Sequence, residues 1–249
     1  MDIGSCCLFL HCWKSIVWQF IDSNSHHSKK EMRAYLTIRA KNKTIPLDHR
    51  DALLQVIHQW LGAKRMQENR PPYSFSRFEG GRNSRDGITF YNDTAFFFSA
   101  PDSELVVKLA DGAKAHPNLF HGLKVSSVEV KEVPDLAKRE LFYVASPLLI
   151  IPNNQVNAEY MLYNDPGADV LLKEMMTSKL AAHGIIDETF AIAFDKNYAS
   201  AGIKKISYNG TIMLASWCHV LIKGKPTTKA CLWDIGLGNQ TRKGFGAIM

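Results

Sequence analysis

Between residues 13 and 217 the chain has no cysteine, and its five cysteines, Cys6, Cys7, Cys12, Cys218 and Cys231, are odd in number. A disulfide framework is therefore not expected, and a reducing compartment, the cytoplasm, fits best. Cys6, Cys7 and Cys12 lie near His11, but no second ligand group follows in zinc-finger order, so no metal site is expected. A membrane-spanning run is also lacking. The most apolar stretch, SCCLFLHCWKSIVWQFI over residues 5–21, is interrupted by His11 and Lys14 and is shorter than the ~20 residues a spanning helix requires. No basic region precedes it and no small-residue cleavage site follows, so a signal peptide is not expected. Residues 1–31 are read as an N-terminal extension outside the fold, poorly ordered or a product of start-site choice, because Met32 opens the first strand-like run.

Acid is scarce at the other end. From Gly202 to Met249 the charged residues are Lys204, Lys205, Lys223, Lys225, Lys229, Arg242 and Lys243 against Asp234 alone, so this stretch carries +6, the formal charge of the whole protein. A neutral body with a basic C-terminal fifth fits a surface that contacts a phosphate backbone, with a merely solvated face as the alternative.

What is present supports a globular fold. The chain has 249 residues, 46% hydrophobic and 22% charged, enough for one large core or two modest ones. RAYLTIRA alternates as a strand, and Asp48 is placed to cap the helix HRDALLQVIHQWL. In that helix Leu53, Leu54, Ile57, Trp60 and Leu61 make a buried stripe that Gly62 ends. Strands are expected at YSFSRFEGG, GITFY, TAFFFSA and LKVSSVEVKEV, with a second helix from Pro101 to about Lys114. That order is ferredoxin-like. A second such unit follows. It has LFYVASPLLI, then the helix ADVLLKEMMTSKLAAHG with Val170, Leu171, Met175 and Leu180 on its apolar face. Strands at FAIAF, KKISYNG and TIMLASWCHVLIK come next, and a short second helix at KACLWDI closes it. The expected fold class is α+β, two tandem ferredoxin-like (RRM-like) domains with helices on one face of antiparallel sheets. The division is residues 32–143 and 144–249.

The most specific local feature is GLGNQTRKGFG, with Gly236, Gly238, Gly244 and Gly246. Glycines admit close backbone approach and positive φ. Successive exposed N–H groups could cradle phosphate, with Arg242 and Lys243 adding charge; a structural turn is the alternative. No GK[ST] follows, so this is not a Walker loop.

A G-x-G, five residues, G-x-G signature resembles that of the Cas6 family of CRISPR-repeat endoribonucleases. LWDIG, FGAIM, AEYMLYNDPGADVLLKEMMTSKL and HQWLG followed by YSFSRFEGG are also similar to Cas6, and the similarity runs from about Met32 to the C-terminus. The resemblance implies a protein that binds CRISPR repeat RNA in the precursor guide transcript and cuts it, with no metal and no cofactor. The products would carry a 2′,3′-cyclic phosphate and a 5′-hydroxyl. It further implies a possible place in a CRISPR effector complex, a possible homodimer, and no membrane.

Such chemistry needs a group to deprotonate the 2′-hydroxyl, one to protonate the 5′-oxygen, and cations around the phosphorane. The family places a histidine near the first helix or in the loop after it. Here the loop AKRMQENRPP has none, and histidine is absent from residue 59 to residue 115; Gln67, Glu68 or Asn69 occupies that region, and glutamine and asparagine cannot act as general acid or base at neutral pH. The catalytic candidates are therefore His58, at the end of the first helix, and His49, in its first turn and expected to be exposed. Tyr73 is the third, to orient a partner or stack on RNA. The RNA-binding candidates are Lys64, Arg65, Arg70, Lys204, Lys205, Lys223, Lys225, Arg242, Lys243 and the four glycines. A protein that binds repeat or guide RNA without cutting it is the alternative. An unrelated two-domain protein would have to carry the glycine signature by coincidence.

Overall fold

The computed structural model describes residues 32–62, 71–152, 160–208 and 210–249. Lys64, Arg65 and Arg70, and residues 1–31, lie outside the described residues.

The first unit follows the ferredoxin-like order. Its sheet joins β1 (Met32–Arg39), β3 (Ser74–Phe75), β6 (Thr94–Ala100) and β7 (Lys124–Glu132) in the order β3-β6-β1-β7. All neighbours are antiparallel. Helices α1 (Arg50–Trp60) and α2 (Ser103–Ala115) cover one face. The alternation of β1 puts Ala34, Leu36 and Ile38 against the helices at 0% exposure. In β6, Phe96 and Phe98 join that core while Phe97 points the other way, onto Ala145 and Ala247 of the second unit. Both faces are thus buried at the centre, which is why TAFFFSA reads as a continuous apolar run. Each buried Phe contributes about 1.5–3 kcal/mol. A small sheet of β2 (Lys43–Ile45), β4 (Arg82–Ser84) and β5 (Gly87–Phe90), in the order β2-β5-β4, is inserted beside it.

The second unit repeats the plan with shorter strands. β8 (Leu141–Phe142), β12 (Val220–Lys223) and β9 (Ala191–Phe194) pair in the order β8-β12-β9. The C-terminal residues continue along the free edge of β8, with reciprocal bonds between Tyr143 and Met249 at 2.8 Å and Ala145 donating to Ala247 at 2.8 Å. Helices α3 (Ala168–Ala182) and α4 (Pro226–Ile235) pack on this sheet. A hairpin of β10 (Gly202–Tyr208) and β11 (Thr211–Trp217) leaves it and packs Tyr208, Met213 and Ala215 into the first unit's core. β8 lies just before the division drawn at 143/144, yet it pairs within the second sheet.

Several local expectations need correction. His49, not Asp48, is the N-cap of α1, and its side chain makes no capping bond. Val170 is 62% exposed; α3 buries Ala168, Leu172, Met176 and Leu180, while Leu171 and Met175 pack only at the margin. Apolar residues are adjacent there, Leu171 beside Leu172 and Met175 beside Met176, so periodicity alone placed part of the face one residue off. TIMLASWCHVLIK is two strands broken at Cys218–His219, where the chain passes from the hairpin to the sheet. His219 therefore sits between strands, with Tyr198 stacked on it at 3.7 Å between ring centroids. KACLWDI lies within a ten-residue helix, started by Pro226 in its first turn and tied by Asp187, which accepts from Lys225 N and Thr228 Oγ1. Only Ser74–Phe75 of YSFSRFEGG and Leu141–Phe142 of LFYVASPLLI pair as strands. No helix among the described residues is long and apolar enough to cross a membrane.

Candidate functional site

The glycine-rich segment is where the two units meet. Gly236 ends α4, and Gly236, Gly238, Gly244 and Gly246 all have φ between 66° and 79°, a region costly for any residue with a Cβ. All four are buried. Their N–H groups are spent inside the protein: Gly236 on Leu232 O (3.0 Å), Gly244 on Thr241 O (3.0 Å), Gly246 on Pro147 O (2.9 Å) and Gly238 on the Met176 sulfur (3.3 Å). The expectation of exposed N–H groups around a phosphate is corrected accordingly. The motif spells a close crossing of the chain over itself. A Cβ on Gly246 would lie 1.8 Å from Leu237 O, and one on Gly238 would lie 2.3 Å from Leu149 O.

Between the two glycine pairs, Thr241–Lys243 forms a 3-10 turn that packs against β3 and α1. Arg50 of α1 holds it, donating to the carbonyl of Gly244 and stacking on Phe245 at 4.6 Å. Burial lowers the Arg50 pKa to about 10. The turn carries Arg242 and Lys243, both half-buried. Lys243 Nζ sits 4.8 Å from the centroid of the Tyr208 ring. Burial lowers the Lys243 pKa, opposed by attraction to Asp51 and reinforced by repulsion from Arg242.

Two of the three first-unit candidates lie together near the C-terminal end of α1, whereas Arg50 holds the turn at the N-terminal end. His58 Nε2 is 3.2 Å from the Tyr73 hydroxyl. His58 is half-buried in the last turn of α1, and Tyr73 directly precedes β3, the strand the turn touches. Tyr73 is 1% exposed and packed against Phe75 and Phe98, so it cannot stack on RNA and is left with the orienting role. His49 is elsewhere, roughly 14 Å away along α1. It is half-buried, not exposed, lying against Phe78 and Phe120 with Nδ1 2.8 Å from Pro46 O. Lys204 and Lys205 of β10 share a cleft with it. Lys223 and Lys225 are exposed at the β12–α4 turn, and Lys225 is the N-cap of α4. Lys229 is buried, donating to Ala137 O at 3.0 Å.

Residues 130–249 match the family model described as CRISPR associated protein Cas6, C-terminal. Over these residues, just under half of its length, the chain is similar to the Cas6 family. The Cas6 likeness extends through the first unit as well. A solved "CRISPR associated protein Cas6" superposes with a TM-score of 0.72 at 16% identity, over 88% of this chain and 99% of the other. A Cas6-related protein from Pyrococcus furiosus gives 0.76 at 17% identity, over 88% and 98%. A structure titled "An RAMP protein binding different RNA substrates" gives 0.75 at 17% identity, over 87% and 98%. No curated protein matches the chain. At these identities the superpositions establish the Cas6 fold, including its tandem ferredoxin-like units.

Sequence reasoning missed Arg50, Asp51 and Tyr208. Arg50 carries no local signal, since only the fold brings α1 under the glycine-rich segment.

Proposed function

We propose that this protein binds the repeat segment of CRISPR transcripts and cuts it by a metal-independent transesterification, releasing guide RNA units. One observation carries the reading: an imidazole held by a buried phenol, His58 on Tyr73, in a fold whose C-terminal segment presents Arg242 and Lys243 on a half-buried turn. These are the groups the reaction asks for.

In the proposed step the 2′-oxygen attacks the adjacent phosphorus and the bond from phosphorus to the 5′-oxygen breaks. His58 takes the 2′-hydroxyl proton. Lys243, whose pKa is already lowered by burial, gives a proton to the departing 5′-oxygen. Arg242 offsets charge on the pentavalent phosphorane. The upstream fragment keeps a 2′,3′-cyclic phosphate and the downstream one a 5′-hydroxyl. Tyr73 acts through His58, as a positioning residue. Lys64, Arg65 and Arg70 add contacts to the RNA from the loop after α1, and Lys204, Lys205, Lys223 and Lys225 extend the basic surface. We place the protein in the cytoplasm, as a homodimer or as a subunit that passes guide RNA to a CRISPR effector complex.

End-labelled repeat RNA incubated with the protein in EDTA tests the reading. The expected result is one discrete cut with a cyclic phosphate on the upstream fragment. The absence of histidine from residue 59 to residue 115 favours a second reading, RNA binding without cleavage. A shifted but intact RNA would decide for it.

A further inference from the structure

The cleft at the N-terminal end of α1 is separate from the His58–Tyr73 pair and is built from both units. It encloses about 510 Å³, a size typical of small-molecule sites. Four cations, Arg50, Arg77, Lys204 and Lys205, line it against one carboxylate, Asp48. Phe78, Ile88, Ile206 and Ile212 supply apolar wall. This composition suits an anion attached to a flat apolar body.

Two of its polar groups are held in place. The Arg77 guanidinium lies 4.1 Å from the centroid of the Trp217 ring, and the main-chain N–H of Arg77 bonds to Ala145 O at 3.1 Å. His49 has Nδ1 2.8 Å from the Pro46 carbonyl oxygen. A carbonyl only accepts, so Nδ1 bears the proton and Nε2 keeps its lone pair. Burial favours this neutral form and Arg50 reinforces it, against the Pro46 bond and Asp48. The imidazole is therefore a fixed hydrogen-bond acceptor on the cleft wall. The N–H groups on the edge of a nucleobase are donors matched to it. Lys204 and Lys205 are exposed at the rim, successive residues of β10 whose side chains leave opposite faces of the strand.

We infer that this cleft holds one unpaired nucleotide of the bound RNA, its base against Phe78, Ile88 and Ile206 with His49 accepting from its edge. The phosphates on either side of it rest on Lys204, Lys205 and Arg77. The inference rests on the reading of the protein as an RNA-binding one. A strand that reaches both ends of α1 contacts the cleft and the His58 site together.

The test uses the full chain and fluorescein-labelled RNA of the CRISPR repeat from the same genome, with an abasic position moved through it. In the wild type, one abasic position weakens binding about tenfold, as expected for loss of one base contact. Ile212→Trp fills the cleft from an exposed position, 64% accessible, so the fold is spared. It weakens intact RNA to a similar extent and abolishes the extra loss at that position. Lys204→Ala/Lys205→Ala lowers the salt slope of binding by about 1.4. An abasic profile that Ile212→Trp leaves unchanged overturns the cleft assignment and leaves RNA binding intact. Failure of the wild type to bind the repeat overturns the RNA reading, and this inference with it.

Discussion

The guanidinium of Arg33, in the first strand, donates to the main-chain oxygen of Trp233 at 2.8 Å and stacks on the Trp233 ring at 4.0 Å. A second bond reaches Ile248 O at 3.0 Å, and Phe97 covers the other face at 3.8 Å. Arg33 is 1% exposed, and burial lowers its pKa to about 10 against the attraction of Tyr35 and Asp234. Ser74 Oγ adds a bond to Asp234 O at 2.9 Å. One buried cation therefore ties the central strand of the first unit to α4 and the C-terminus of the second.

Replacing Arg33 by alanine leaves two buried carbonyls without their donor and removes a cation that attracts the buried Asp234. The expected cost is about 3–5 kcal/mol. Arg33→Lys recovers little of it, because an ammonium cannot donate in a fork and stack on two rings together. Urea unfolding of the two variants checks this; a near-wild-type midpoint for Arg33→Ala would sink the idea of a latch.

The glycine signature makes a graded prediction. Gly184→Ala meets open space at φ 72° and costs only the conformational strain, about 1 kcal/mol. Gly246→Ala adds a collision with Leu237 O and costs several-fold more, about 3 kcal/mol or above. Thermal unfolding of the pair separates packing from strain. If Gly246→Ala kept full stability and lost only RNA affinity, the motif would be a ligand contact rather than a crossing of the chain.

His58→Ala is expected to slow cleavage by about 10²–10⁴ while leaving repeat-RNA affinity within a few-fold. Tyr73→Phe removes the 3.2 Å contact but keeps the packing. A loss of about tenfold in rate, with a shifted pH–rate profile, marks Tyr73 as positioning His58. An unchanged profile in Tyr73→Phe would leave the tyrosine a packing residue only.

Lys179 provides a pH test of stability. Its Nζ donates to Gly238 O, and burial lowers its pKa to about 8. Between pH 8 and about 10.4 the unfolded chain keeps a proton that the folded protein has released. Stability from this group therefore rises with pH across that window, and the penalty is fully present below pH 8. The Tm of the wild type relative to Lys179→Met should climb from pH 8 to pH 10; a flat difference contradicts the burial of the ammonium.

Much of the fold was legible because it is local. The alternation of Ala34, Leu36 and Ile38 and the stripe Leu53, Leu54, Ile57 and Trp60 mark β1 and α1, and both lie where those patterns put them. α3 defeated the same reasoning, since its apolar residues fall in adjacent runs, Val170–Leu172 and Met175–Met176, that spread over more than one side and do not announce which is inward. The break at Cys218–His219 was invisible for a related reason. Strand-like residues continue through it, and only the departure of the hairpin from the sheet divides them.

The sequence alone determined the element order, the basic C-terminal segment, the glycine spacing and the absence of histidine after α1, because each is a property of residue type and local period. Tertiary structure alone decided what those residues do. It turned the four glycines inward, where the backbone passes too close to itself for any Cβ. It set Tyr73 against His58 and moved His49 into a cleft with lysines from more than 150 positions away. Contacts between distant residues depend on how two sheets pack, and no local pattern of residues encodes that distance.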